Sequence, residues 1–354
     1  MPLTPFLATD PKYRRFLHGA QWSLCVGAGI CRGIMPDWAE VTRLMLERAN
    51  GTSVTSDHIR EIVASLGWSL DSLLQQALNS YLLDGRTADD FNGDLAEVLY
   101  GGLLARAQAT GLKDALETFL TDPFRRNPAL VLPLEEFLSR EFGTTSVMQL
   151  ARVLLKASDA DCKPDAVLTF NADVLLHAAT TLLQIRQAAT AGVSLNPSFH
   201  YRGIHRASDR ANRKTPIYHV HGSITPAAGF REARDRLIFP ESSYVQLAGS
   251  VASWPQTIFS GAAQSSRMIF VGLSMSDANI RRWLGWANTT RIGELAQRGS
   301  PPKFSSQHLW ITTPSHEPHL KAAKEAGLLH LGVRTAFVPS WDRLEDAISN
   351  LLGI

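Results

Sequence analysis

The 354-residue chain is poor in cysteine, in charge and in long apolar runs, and each shortage removes a class of protein. Its three cysteines, Cys25, Cys31 and Cys162, cannot pair off, and no two stand at C-x-x-C spacing. Counting alone therefore excludes a disulfide framework and a four-cysteine zinc site, so no structural zinc is expected. No apolar run approaches the ~18 residues that would cross a bilayer. Residues 1–15 hold charges but no apolar stretch with a cleavage site after it, so no secretory leader is expected and the cytoplasm is the default location. Charged residues make up 19% and the net charge is +2, so nothing global attracts nucleic acid or an anionic membrane.

What is present is apolar residue in short blocks: 45% of the chain is hydrophobic, enough for one large core. Runs at 22–27, 166–170, 216–221, 268–272, 308–312 and 333–338 are rich in Val, Ile, Leu or Phe and are bounded by polar or turn residues. Continuous rather than alternating apolarity predicts parallel strands covered on both faces. Helical stretches between them complete an α/β pattern. Residues 56–158 differ. Leu70, Leu73, Leu74, Ala77, Leu78 and Tyr81 recur at helical spacing, Thr87 is placed to cap a helix through Leu95, Val98 and Leu99, and Thr145 to cap one over 147–155. The expected fold is a Rossmann-like, mostly parallel sheet flanked by helices, with 1–354 as one domain and 56–158 a mostly helical insertion after the first strand. The polar stretch 196–214, with Pro197 and Gly203, is expected to be loop.

Polar motifs sit where strands end. Leu24-Cys25-Val26-Gly27-Ala28-Gly29 is a strand running into a glycine turn, with a helix expected from Trp38 through Leu46. Such glycines let backbone approach a pyrophosphate, and the next helix offers free N–H groups; a plain tight turn reads equally well. The acidic residue expected ~20 positions on in a dehydrogenase is not in place, since Glu47 falls inside the helix. The strand at 166–170 leads into Asn171-Ala172-Asp173, whose side chains can hold water or ribose hydroxyls, or simply cap the helix expected over 174–183. Ile217-Tyr218-His219-Val220-His221-Gly222-Ser223 places two histidines two apart, on one face of a strand. A general base, a metal pair lacking a third ligand and plain core histidines are all open readings. A fourth strand runs into Gly272-Leu273-Ser274-Met275-Ser276-Asp277, where Asp277 either faces a ribose or caps the next helix.

Taken in order, these motifs resemble the sirtuin-like superfamily. Gly27-Ala28-Gly29-Ile30-Cys31 with Gly33-Ile34-Met35-Pro36-Asp37-Trp38 is similar to its opening, G-A-G-x-S then G-I-P-D-F, with Cys31 in place of serine and one residue fewer before Pro36. Thr169-Phe170-Asn171-Ala172-Asp173 resembles T-x-N-x-D, with Phe170 where sirtuins proper have glutamine, and His221-Gly222-Ser223 resembles the end of L-H-G-S. Residues 272–280 resemble G-x-S-x-x-D-x-N-I of the bacterial antiphage-defence branch, and 239–244 a segment those domains carry. The resemblance implies NAD as substrate, with Gly27, Ala28, Gly29, Asp37, Asp173, Gly272, Ser274 and Asp277 as binding residues and His221 and Asn171 as catalytic ones. It implies cleavage of NAD to nicotinamide and ADP-ribose, because a deacylase normally builds its acyl-lysine groove beside a four-cysteine zinc module. A non-catalytic nucleotide sensor, and ADP-ribosyl transfer or deacylation, are the alternatives. An NAD hydrolase needs an off state, so a homo-oligomer is expected, with a separately encoded ATPase, translocase or nucleic-acid sensor as a further partner and the insertion as the assembly surface. Between 199 and 214 lie Arg202, Arg206, Arg210, Arg213 and Lys214 against Asp209 alone, which is either a phosphate or nucleic-acid contact or a solvated loop.

Overall fold

The computed structural model describes residues 6–123, 128–192, 199–227, 237–250, 252–299 and 306–354. Its centre is a parallel sheet of eight strands: β1 (Phe6–Leu7), β2 (Trp22–Val26), β3 (Ala166–Thr169), β4 (Tyr201–Ile204), β5 (Thr215–His219), β6 (Arg267–Val271), β7 (His308–Thr312) and β8 (Val333–Phe337). They lie in the order β1-β8-β7-β6-β2-β3-β5-β4, and every pairing is parallel. The six runs expected to be strands supply β2, β3, β5, β6, β7 and β8. Two strands were not expected. β1 has only two residues, and β4 lies inside the stretch expected to be loop, where it pairs with β5 alone at the sheet's edge.

Continuous apolarity has the anticipated cause, since both faces of the central strands are covered. On β2, Trp22, Leu24 and Val26 join one core and Cys25 the other; on β6, Ile269 and Val271 face the first, Met268 and Phe270 the second. The first core is closed chiefly by α1 (Trp38–Asn50), α3 (Leu70–Leu83), α4 (Ala88–Gln108), α7 (Ser146–Asp159), α8 (Leu175–Thr190) and α13 (Leu344–Leu352). The second lies under α10 (Trp254–Ser265) and α11 (Ala278–Gln297).

Between β2 and β3 there are helices and no strand among the described residues: α1, α2 (Ser56–Leu66), α3, α4, α5 (Lys113–Thr121), α6 (Pro128–Phe142) and α7. Local chemistry fixes their ends. Asp37 caps α1 by accepting from the Glu40 N–H at 3.0 Å, and Gly51 ends it at φ 65°. Thr87 and Asp90 form a reciprocal capping box on α4, so that cap falls where expected. Thr145 precedes α7, but its hydroxyl donates to the Phe142 carbonyl at 2.6 Å instead of capping. In the insertion, expected to be the assembly surface, Leu73 and Leu103 are buried in the core and Leu104 is half-buried, while Leu82 and Leu83 are exposed. No described helix is long and apolar enough to cross a membrane.

Candidate active site

All four motifs lie at the carboxyl ends of the adjacent strands β6, β2, β3 and β5. Open parallel sheets bind their ligands at this edge, where successive loops diverge. Register sets the level of each residue. Thr169 lies opposite His219 on β3 and β5, so Asn171 and His221, each two residues further on, leave their strands side by side. The Phe170 and His221 rings meet edge to face with centroids 4.9 Å apart, and the Ile224 N–H donates to the Ala172 carbonyl at 2.8 Å.

The two glycine turns interlock. The Gly29 N–H donates to the Gly272 carbonyl at 3.0 Å and the Gly27 N–H to the Val271 carbonyl at 3.1 Å. A Cβ on Gly272, whose φ is 68°, would come within 2.6 Å of the Ile30 nitrogen, and one on Gly29 within 2.9 Å of the Gly272 Cα. Close backbone approach is thus the reason for glycine here, and the first thing approached is the other turn. Ala28 and Gly29 are exposed at the rim.

Cys31 ties the first turn to β3. Its thiol donates to the Asp173 Oδ2 at 3.3 Å and lies 3.6 Å from the Asn171 Nδ2. Burial raises its pKa well above the ordinary thiol value, and the Asp173 carboxylate adds to that. Asp173 also accepts from the Leu175 N–H at 2.9 Å and so caps the start of α8. Burial pushes its pKa up against those hydrogen bonds. Asp277 caps α11 through the Asn279 and Ile280 N–H groups, at 2.8 and 3.0 Å. The capping readings of Asp173 and Asp277 are therefore correct, Asp37 caps α1 as well, and a carboxylate oxygen engaged in a cap retains lone pairs for a ligand. Asp37 and Ser274 are exposed, with the Ser274 and Ser276 Oγ atoms 2.6 Å apart.

Beside the glycine turns, the Asn171 Oδ1 and the His221 Nε2, on residues 5% and 3% exposed, are buried with no partner among the described residues, as are both ring nitrogens of His219 at the end of β5. A buried polar atom left unpaired costs about 1–3 kcal/mol, so such atoms mark a place where something else binds. Burial lowers the His221 pKa to about 4 while the Asp277 carboxylate opposes the shift, so the imidazole is neutral at pH 7 and free to accept a proton. Tyr244, on α9 (Glu241–Gly249), packs edge to face on His221 at 5.7 Å.

The insertion supplies residues that sequence reasoning missed. Asp71, in the first turn of α3, is raised by burial, with Asp277 and Glu241 adding to the shift and a hydrogen bond from Trp38 opposing it. The Tyr244 phenol is raised by burial and by Asp71 and Asp277. Asp71 therefore faces the same space as Tyr244 and Asp277, and the Gln75 Oε1 on α3 accepts from the Ser242 N–H at 3.1 Å. Only the resemblance of 239–244 to a family segment could have signalled Tyr244; nothing in the sequence signalled Asp71.

His219 and His221 do not share neighbours, contrary to the period-two expectation. The strand ends at His219, so alternation stops before His221. His219 stacks on His205 at 4.5 Å, while His221 meets Phe170 and Tyr244. Among the described residues no group of three or more His, Cys, Asp or Glu side chains is placed to hold a metal ion.

A doubly covered parallel sheet with interlocked glycine turns and unpaired polar atoms at its carboxyl edge is the arrangement at which open α/β sheets bind their ligands. A family model described as SIR2-like domain matches residues 165–330, so the segment from β3 through α11 and beyond is similar to a SIR2-like domain. Domains of this class interact with NAD and are often NAD-using enzymes. No curated protein matches the chain. Asn171, Asp173, His221, Gly272, Ser274 and Asp277 fall inside the matched segment; the first glycine turn and Asp37 precede it.

Proposed function

We propose that this protein is an NAD hydrolase that cleaves the bond between nicotinamide and ribose, consuming water and giving nicotinamide, ADP-ribose and a proton. The observation that carries the reading is the pair of unpartnered buried atoms, Asn171 Oδ1 and His221 Nε2, on neighbouring strand ends beside the glycine turns. The residues fit the substrate in outline. Gly27 shapes the turn and Ala28 and Gly29 stand exposed at its rim to meet a pyrophosphate, with Gly272 and Ser274 on the adjoining turn. Asp173 and Asp277 offer carboxylate lone pairs to ribose hydroxyls.

Water is the acceptor in this reaction. Departure of nicotinamide leaves oxocarbenium character on the ribose carbon, as in other glycoside cleavages. Asn171 Oδ1 accepts a hydrogen bond from the attacking water and orients it, and His221 Nε2 takes the proton. The sequence cannot form the four-cysteine module beside which deacylases normally build their acyl-lysine groove. The proposed role is an effector of antiphage defence that depletes NAD. Control by self-assembly or by a separate sensor is part of the proposal, supported by the exposed Leu66, Trp68, Leu82 and Leu83 on and between α2 and α3.

The test is to incubate the purified chain with NAD across protein concentrations, following nicotinamide, ADP-ribose and molecular mass together. NAD bound but intact under every assembled condition would make the protein a sensor instead. A strict monomer with constant activity per chain would remove the assembly control.

A further inference from the structure

The basic stretch 199–214 is ordered around an acid. The Asp209 Oδ2 accepts from the backbone N–H groups of His205 and Arg206, at 2.8 and 3.1 Å, which folds the segment after β4 into a compact turn. Its cations then divide. Arg202, Arg206 and Lys214 line a cavity of about 390 Å³ on the α8 side of β4, whereas Arg210 and Arg213 do not. His177, Ala178 and Thr181 of α8 form the facing wall, with Phe199, Tyr201 and His205 completing much of the rest. The volume falls within the ~300–1,000 Å³ usual for small-molecule sites. Neither Asn171, Asp173, His221 nor either glycine turn lines it, so it is separate from the site above.

The lining is built to receive negative charge. Among the described residues Asp209 is the only carboxylate in the cavity wall, and backbone N–H groups already occupy it. Arg202 and Lys214 form no ion pair among the described residues, and they act against each other: burial lowers the Lys214 pKa and the Arg202 guanidinium lowers it further. Neighbouring like charges without a counter-ion repel each other, and an anion between them relieves that repulsion. An apolar surface lies beside them, since the Lys214 Nζ sits 5.6 Å from the centre of the Phe199 ring. Tyr201 is fixed by its hydroxyl, which donates to the Leu154 carbonyl at 2.7 Å and accepts from the Ser158 hydroxyl at 3.0 Å.

The floor is held just as deliberately. A Cβ on Gly203 would lie 2.8 Å from the His205 Nε2 and 3.1 Å from the His177 ring, so glycine lets both imidazoles close over the β4 backbone. His219, 1% exposed and with neither ring nitrogen hydrogen-bonded among the described residues, stacks on His205 from behind.

We propose that this cavity is a second ligand site, for a nucleotide-sized phosphate ester with a planar ring: Arg202, Arg206 and Lys214 take the phosphate, and Phe199 takes the ring. Concavity separates this ligand from a nucleic-acid strand, which needs an open groove tracking several phosphates. The site also has a route to the first one. Val174 and Thr225 line the cavity and directly follow Asp173 and Ile224. The Tyr100 hydroxyl joins these two segments, accepting from the Val174 N–H at 3.1 Å and donating to the Ile224 carbonyl at 2.8 Å. Binding stands apart from the hydrolase reading; only an effect of the ligand on NAD turnover rests on that reading.

The experiment is calorimetric titration of the full chain with adenosine 5′-monophosphate, then with inorganic phosphate, then with a single-stranded oligonucleotide. The expected result is one saturable site per chain for the monophosphate, weaker binding of phosphate alone, and at least about tenfold weaker binding of both in Arg202→Gln/Lys214→Gln, as for loss of charge-assisted contacts. Both side chains are partly exposed, and Arg202→Gln alone decides the matter if the double variant does not fold. Monophosphate binding that these variants leave unchanged belongs to the glycine-turn edge and overturns the proposal. So does the absence of saturable binding at millimolar ligand, or an oligonucleotide that binds through these residues while the monophosphate does not. Phosphate binding as tightly as the monophosphate removes the ring from the proposal. NAD turnover, measured separately, tests the other site alone.

Discussion

The two ends of the same four strands are built to opposite standards. At the amino end, polar groups find partners inside the protein. The Trp22 Nε1 donates to the Cys162 carbonyl at 2.8 Å, the Ser266 and Ser23 Oγ atoms are 2.8 Å apart, and the His308 Nδ1 accepts from the Met268 N–H at 3.1 Å. At the carboxyl end, Asn171 and His221 are equally buried and each keeps an atom unpaired among the described residues. The polar side chains named at both ends are buried, and what distinguishes them is their hydrogen bonding. One end commits its polar groups to stability; the other leaves them available and is less stable for it.

Substitutions can break this contrast. Trp22→Ala at the amino end removes a fully covered indole and is expected to cost about 3–5 kcal/mol of folding stability in urea denaturation. His221→Ala is expected to lower nicotinamide release by about 10²-fold or more with little change in melting temperature, and Asn171→Ala likewise. A His221→Ala protein that releases nicotinamide at the wild-type rate would remove that residue from the mechanism. Acidification acts at both ends. Burial holds the His221 pKa at about 4 and, with Arg291, the His308 pKa at about 3, against an ordinary 6.5. The unfolded chain therefore binds more protons than the folded one in this range, and stability falls as the pH drops below about 6.5. The His221 share, complete near pH 4, amounts to about 3 kcal/mol. Urea midpoints measured at pH 7 and pH 5 should show the loss, with a smaller one in His221→Asn; identical slopes for the two proteins would contradict it. The smallest effect expected is Ser23→Ala, about 1 kcal/mol of stability with nicotinamide release unchanged. A loss of activity there would mean that the two ends are not independent.

Strands buried on both faces were legible because, at such short lengths, continuous apolarity has few physical causes besides cover on both sides. β4 was not, because Tyr201-Arg202-Gly203-Ile204 pairs on one side only and carries two residues typical of loops. The glycine turns were recognised, but their interlocking is a tertiary fact that neither segment contains. Asn171 and His221 stood out as candidates because motif and strand end coincide. Asp71 was invisible because it reaches the site from the insertion, through the packing of α3 beside α9, and nothing local distinguishes it from any acidic residue in a first helical turn. The loop expected over 196–214 contains β4 and a turn that Asp209 folds through backbone contacts, which composition does not reveal.

Cys31 stands at the junction of the first glycine turn and β3, where its sulfur is a hydrogen-bonding strut and not a nucleophile. Alkylation and peroxide attack both proceed through the thiolate, and burial with a carboxylate alongside keeps this sulfur protonated. Reagents that act through a thiolate are therefore expected to spare this sulfur and the junction it holds.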